Sequence, residues 1–357
     1  MKSILIVTGE LSGFLYAREI VKALSGNFRI FGVFLEEIPG TVRIYDSRKL
    51  LAFGLFEALG KLPWILKGKR AVVSFLEREK PDALLLIDFP GFNLKIAKEA
   101  RKRGIKVFYF IPPKLWAWGE RRAEQLRKFT DRVFVIFPFE EKFYRNLGIN
   151  AEYVGNPLVD IVKPEVNREE LLEELEISDD FFALLPGSRP SEIRYLLNPL
   201  KDFAESFGGN WVIPVADSVR ELLSGFHSKN VKLVPENRRY SVMAYAKAGV
   251  IASGTASLEA AILELPHVVV YRLNPLTYLV AKRLVKLPFV SLPNLIAGRE
   301  VVPELLQNRV NREELWHTFE LILENRERMR EFLQKDVRSK LKGGAVKRVV
   351  ERITEEV

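Results

Sequence analysis

The chain has 357 residues, 48% hydrophobic and 28% charged, with a net charge of +9 at pH 7, which is long enough for two domains of ordinary size. It has no cysteine, which excludes disulfides and a thiolate nucleophile and suits a reducing compartment. Its three histidines, His227, His267 and His317, are too scattered in sequence to suggest a metal site.

The N-terminal stretch enters an apolar run at residues 4–8 almost at once and lacks a cleavable signal pattern. No apolar run approaches the ~18 residues that a membrane span needs. A cytoplasmic protein is expected. Scarce Gln with abundant Lys, Glu and Arg favours a thermophilic source. The positive charge concentrates in residues 95–128 and 326–352, a balance that suits anionic partners such as a nucleotide, a nucleic acid or acidic lipid.

Residues 4–8, bounded by Gly9 and Gly13 and followed by helical spacing through Leu15, Ile20, Val21 and Leu24, predict strand, loop and helix. The loop, GELSG, contains Glu10 and Ser12 but not the GxGxxG spacing of a dinucleotide site, so no nicotinamide cofactor is read there. Residues 29–35, 83–88 (ALLLID), 106–111 and 133–137 read as further strands, with helical patterns such as 94–103 between them. Alternating apolar strands and amphipathic helices predict a parallel, doubly wound sheet. A polar link with Pro157 and Pro164 follows, and the pattern restarts with strands at 181–185, 211–215, 232–234, 249–252 and 267–271. The expected fold is α/β: two Rossmann-like domains facing across a cleft. Residues 1–158 form the first, 159–330 the second, and 331–357 a helical tail packing back across the lobes. Ligands are expected at the C-terminal ends of both sheets.

Four stretches carry candidate chemistry. Asp88 follows a buried strand at the functional edge of its sheet, where burial among Phe89 and Phe92 would raise its pKa toward that of a general base. An Asp capping the next helix reads the same way. Gly187, Ser188 and Arg189 in LLPGSR put backbone N–H groups, a hydroxyl and a guanidinium together, equipment for a diphosphate or simply an exposed turn. In ASGTASLE, Ser253, Thr255 and Ser257 are each N-cap-competent. Gly254 and Ala256 let a ligand approach the helix start closely, where dipole and free N–H groups favour an anion. Glu259, one turn on, suits the paired hydroxyls of a ribose; an ordinary βα unit remains the alternative. Finally, residues 50–66 are unusually apolar, and Lys61, Lys67, Lys69 and Arg70 sit beside them. Phe56, Leu59, Trp64 and Leu66 there predict docking on an anionic membrane surface, with a core helix pair as the other reading.

Taken jointly, GELSG, LLLIDFPGFN, WAW at 116–118, FPFEEKFY, VGNPLVD, LLPGSR, ASGTASLE and the run 281–300 resemble the lipid-A-disaccharide synthases, inverting glycosyltransferases of the two-Rossmann GT-B fold. The resemblance covers nearly the whole chain. It implies transfer of diacylglucosamine from UDP-diacylglucosamine to diacylglucosamine 1-phosphate, releasing UDP and leaving a β-linked disaccharide. It also implies Asp88 as the catalytic carboxylate, with Glu10, Ser12, Asn93, Asn294, Arg299 and Arg189 at functional polar positions. No cofactor and no metal are implied, nor any nucleic acid. The implied place is the inner face of the inner membrane, with a homodimer as a further candidate state. The chain departs from the family pattern at four points. Phe14 and Gly91 stand for aspartates, Asn156 for a His, and Pro112-Pro113-Lys114 for a Ser-Pro-Ser start. The rival readings are a UDP-sugar epimerase of the same fold and a basic nucleic-acid-binding protein.

Overall fold

The structure is a computed structural model. It describes the chain except residues 51–59, 118–120, 179, 225, 227, 275–277, 279–282 and 284–286. The chain divides into two compact units, Met1–Pro157 with Lys342–Val357, and Leu158–Leu341.

The first unit is built on seven parallel strands: β1 (Lys2–Thr8), β2 (Phe28–Phe34), β3 (Thr41–Asp46), β4 (Ala83–Ile87), β5 (Lys106–Phe110), β6 (Arg132–Val135) and β7 (Ala151–Tyr153). Their order is β3-β2-β1-β4-β5-β6-β7. Both faces of the central strands are covered, which is why β4 reads as the unbroken apolar run ALLLI with every residue buried. One face packs Leu5, Leu84, Leu86, Val107 and Tyr109; the other packs Ile4, Ile6, Leu85, Phe108 and Phe110. The strand order reverses between β1 and β4, the position at which doubly wound sheets bind their ligands.

The second unit repeats the plan with β8 (Phe181–Leu185), β9 (Asn210–Val215), β10 (Val231–Pro235), β11 (Gly249–Ala252), β12 (His267–Tyr271) and β13 (Glu304–Leu306), in the order β10-β9-β8-β11-β12-β13. Its reversal falls between β8 and β11. An aromatic cluster of Phe182, Phe203, Phe207, Trp211 and Phe319 fills one face, with ring centroids about 5–6 Å apart.

Strands β3, β7 and β13 were not expected from the sequence. They lie at or next to the ends of their sheets, are short or half-exposed, and so lack an apolar run. The tail differs from the single segment 331–357 expected. Residues up to Leu341 stay with the second unit, and the helix Ala345–Glu356 belongs to the first. There Ala345, Val349 and Ile353 complete the core face shared with Phe14, Ala17 and Val21. Lys106 pairs with Glu356 at 3.2 Å, and Arg352 with Glu152 at 2.9 Å. Phe14, where the family resemblance leads one to expect an aspartate, is a buried core residue tilted against Phe34.

Candidate active site

Asp88 is the first residue past β4, at the reversal of the first sheet. Its backbone is left-handed (φ 48°), as is that of Phe89 (φ 49°), a conformation uncommon for non-glycine residues and a small store of strain. Several bonds hold it. The Asp88 N–H donates to the Phe110 carbonyl (2.9 Å). The Tyr109 hydroxyl and the Asn93 amide each donate to the Asp88 carbonyl at 2.7 Å. Phe89 turns its ring over Gly9, where a Cβ would lie 2.4 Å from the ring; only glycine fits beneath it. Burial pushes the Asp88 carboxyl up to about 6, and neighbouring Glu10 adds to the rise. The Phe89 N–H and the Lys114 ammonium pull the other way. Glu10 is exposed at the start of the helix Leu11–Leu24, and Ser12 is exposed in its first turn. Asn93 is fully buried and acts on the Asp88 loop instead of presenting its amide to solvent.

Beyond β5 and β6 lies a second cluster, missed in the sequence. The Trp116 indole N–H donates to Glu140 (2.8 Å), whose other oxygen accepts the Phe137 and Ile136 N–H groups at 3.0 and 3.2 Å. Glu140 is buried, and its pKa is raised by desolvation. The FPFEE run therefore caps its own helix (Pro138–Asn146) and anchors the tryptophan of WAW.

In the second unit the two phosphate-binding candidates follow β8 and β11, on either side of that sheet's reversal. The helix Thr255–Ile262 starts at Gly254 (φ 152°), and no side chain caps it. None of the three expected hydroxyl caps is used. Ser257 donates back to the Gly254 carbonyl (2.8 Å), and Ser253 points at the Val290 carbonyl (3.4 Å). The first-turn amides near Thr255 and Ala256 therefore keep no side-chain acceptor, as an anion site requires. The LLPGSR turn differs from expectation. The Ser188 and Arg189 N–H groups donate to Glu192 (3.0 and 3.2 Å), which folds back beneath Gly187 (φ 114°) and takes the place of an anion. What the turn offers is the exposed Arg189 side chain.

Glu259 is 3% exposed and bound by Arg239 (3.1 Å) and the Tyr240 hydroxyl (3.5 Å), while its second oxygen has no partner. Desolvation raises its pKa, opposed by the Arg239 charge. Arg239 and Tyr240 also line a pocket of about 590 Å³ with Lys163, Asp217 and Glu236.

Two further expected site residues are engaged within the chain. Asn294 is fully buried. Its amide donates to the Val302 carbonyl and to Glu304, and its oxygen accepts the Val301 and Val302 N–H groups, all at 2.8–3.0 Å. That uses its principal bonding positions and leaves none for a ligand. Arg299 pairs with Asp336 and stacks on Phe332, its guanidinium 4.2 Å from the ring centre. Among the described residues no three His, Asp or Glu side chains converge as metal ligands.

Against this geometry the comparisons are consistent. The model of the lipid-A-disaccharide synthetase family matches residues 4–356. The chain belongs to the lipid-A-disaccharide synthase family. It is accordingly an enzyme, a glycosyltransferase of lipid A disaccharide synthesis. The lipid-A-disaccharide synthase of Persephonella marina is 38% identical over 377 residues, covering 99% of both chains. That of Aquifex aeolicus is 38% identical and covers 93% of each. Among solved structures, a Neisseria meningitidis UDP-GlcNAc 2-epimerase bound to UDP-GlcNAc superposes with a TM-score of 0.65 at 16% identity, covering 99% of this chain and 100% of that one. Acinetobacter baumannii MurG does so with a TM-score of 0.59 at 15% identity and the same coverage. At those identities the likeness establishes the fold, GT-B, and leaves the epimerase reading with no support beyond it.

Proposed function

We propose that the enzyme transfers diacylglucosamine from UDP-diacylglucosamine to diacylglucosamine 1-phosphate with inversion, and that Asp88 is its general base. The observation that carries this is the Asp88 carboxyl, fixed at the first sheet's reversal and poised near pH 6, so that it is ionised yet still basic at neutral pH. Its carboxylate takes the proton of the acceptor's primary hydroxyl as that oxygen bonds to the donor's anomeric carbon. The bond from that carbon to the diphosphate breaks, and UDP leaves with the electron pair. The uncapped helix start at 254–257 and the Arg189 guanidinium stabilise the departing diphosphate, and Glu259 serves the ribose hydroxyls. On this reading the Arg189 cation and the helix dipole neutralise the diphosphate without a metal.

The acylated substrates call for a membrane surface, and we place docking on the first turns of the helix Leu62–Glu79. Leu62, Trp64 and Leu66 are 49, 45 and 46% exposed there, with the Lys49 and Lys67 ammonium groups 5.5 and 5.7 Å from the Trp64 ring centre. Phe56 and Leu59 lie outside the described residues. No described helix is long and apolar enough to cross a membrane.

The test is mass spectrometry of products with both lipid substrates in EDTA. A disaccharide 1-phosphate and UDP are expected. Epimerised UDP-sugar formed from donor alone, or an absolute need for added magnesium, would overturn the corresponding part of the reading.

A further inference from the structure

We propose that Lys114 is the acceptor's anion contact, binding a phosphate on the same sugar whose hydroxyl Asp88 deprotonates. The inference rests on the glycosyl-transfer reading above. In the first sheet β4 lies between β1 and β5. Asp88 leaves β4, Glu10 follows β1, and Lys114 follows β5. The base therefore has an anion on one flank and a cation on the other. A negatively charged substrate group is repelled from the Glu10 side and drawn to the Lys114 side, which fixes the direction in which an anionic acceptor lies across Asp88. Strands β4 and β5 are neighbours, so the loops that follow them leave the same edge of the sheet side by side, and the Lys114 charge is felt at Asp88. In a hexosamine 1-phosphate the primary hydroxyl and the phosphate extend from opposite sides of the ring oxygen. One pyranose therefore bridges the two loops.

Lys114 is equipped for that role. It is exposed, and among the described residues no salt bridge takes up its charge. Its ammonium stands 5.9 Å from the ring centres of both Trp116 and Phe137. The half-buried rings of Trp116 and Phe139 stand edge-on to each other against the buried Phe137 and make an aromatic floor. Glu140 fixes the Trp116 ring through the indole N–H, so the floor is already in place before a sugar arrives. An apolar floor with one polar group at its edge is the usual make-up of a small-molecule subsite. Lys114 also moderates the Asp88 carboxyl, drawing it back toward the ionised form.

The experiment compares two acceptors, diacylglucosamine 1-phosphate and the same diacylglucosamine with a free anomeric hydroxyl, using UDP-diacylglucosamine as donor and the full chain. Wild type should prefer the phosphorylated acceptor. In Lys114→Met, which keeps the stem over the aromatic floor, the ratio of kcat/KM for the two acceptors should fall about 10- to 100-fold, mainly through KM. Lys114→Arg should hold the ratio within about 3-fold of wild type. Equal losses on both acceptors, or no preference in wild type, would overturn the proposal while leaving the transfer reading intact. No transfer by wild type to either acceptor would overturn both.

Discussion

Asp88 is held where an ionised carboxyl is costly, and that cost is measurable. Unfolded, its pKa is near 3.8; folded, it is about 6. Between those values the folded state binds more protons than the unfolded one, so stability falls as pH rises from about 4 to 6. The full difference corresponds to as much as about 3 kcal/mol. Asp88→Asn tolerates the left-handed backbone and carries no charge. Urea melts should show it more stable than wild type at pH 7 and no different at pH 3.5, with the acid-side slope flattened. Turnover should drop at least ~10²-fold, and wild-type kcat/KM should rise with an apparent pKa near 6. A variant equal to wild type in stability at pH 7 would refute the buried charge. The groups set against Asp88 are Glu10, Lys114 and Tyr109. Of this arrangement the sequence makes the strand and the terminal carboxylate legible, because ALLLI can only be a buried run. It does not reveal the left-handed turn or Lys114. Those depend on Phe89 closing over Gly9 and on side chains brought in from β5, at distances in sequence where no local pattern exists.

At the scale of elements, the same polar residue type serves opposite ends. The family resemblance puts Asn294 at a functional polar position, but its partners Val301, Val302 and Glu304 make it a staple between the helix Leu292–Ala297 and β13. Asn294→Leu would leave the buried Val301 and Val302 N–H groups without their acceptor. It should cost about 3 kcal/mol or more in a denaturant melt, with activity lost in step with folded protein. If the variant melts normally but fails to bind UDP, the residue is a ligand contact after all. The helix Leu62–Glu79 makes the reverse point. Its apolar face is legible, and the structure leaves Trp64 and Leu66 half-exposed at its start while Val72, Phe75 and Leu76 supply the core. Trp64→Ser with Leu66→Ser should therefore change stability by less than about 1 kcal/mol yet weaken sedimentation with anionic vesicles. Unchanged sedimentation would move docking elsewhere. The unexpected strands are all at sheet margins, where half-exposure erases the periodicity on which such a reading depends.

Over the whole molecule, the two-unit plan was legible from the restart of the strand–helix alternation after Pro157, and the return of the last helix only in part. Charge and helical periodicity mark residues 345–356 as a helix, but nothing local says that Val349 and Ile353 fill a core opened by residues 14–21. Truncation after Leu341 should strip that face and cost several kcal/mol, through lost burial alone, in the first unit. Hydrogen exchange should then rise in β1 and β4 and leave β8 and β11 protected. Even loosening of both sheets would refute this independence. The second unit is, in chain terms, an insertion within the first. During synthesis the sheet that carries Asp88 is translated first, yet it waits for its final helix while the intervening residues are made, about 10–40 s at ordinary elongation rates. Throughout that interval the apolar face of the helix Leu11–Leu24 has no cover from its partner. A chain released after Leu341 should therefore carry a closed second unit behind an open first one, the reverse of the order in which the two are encoded.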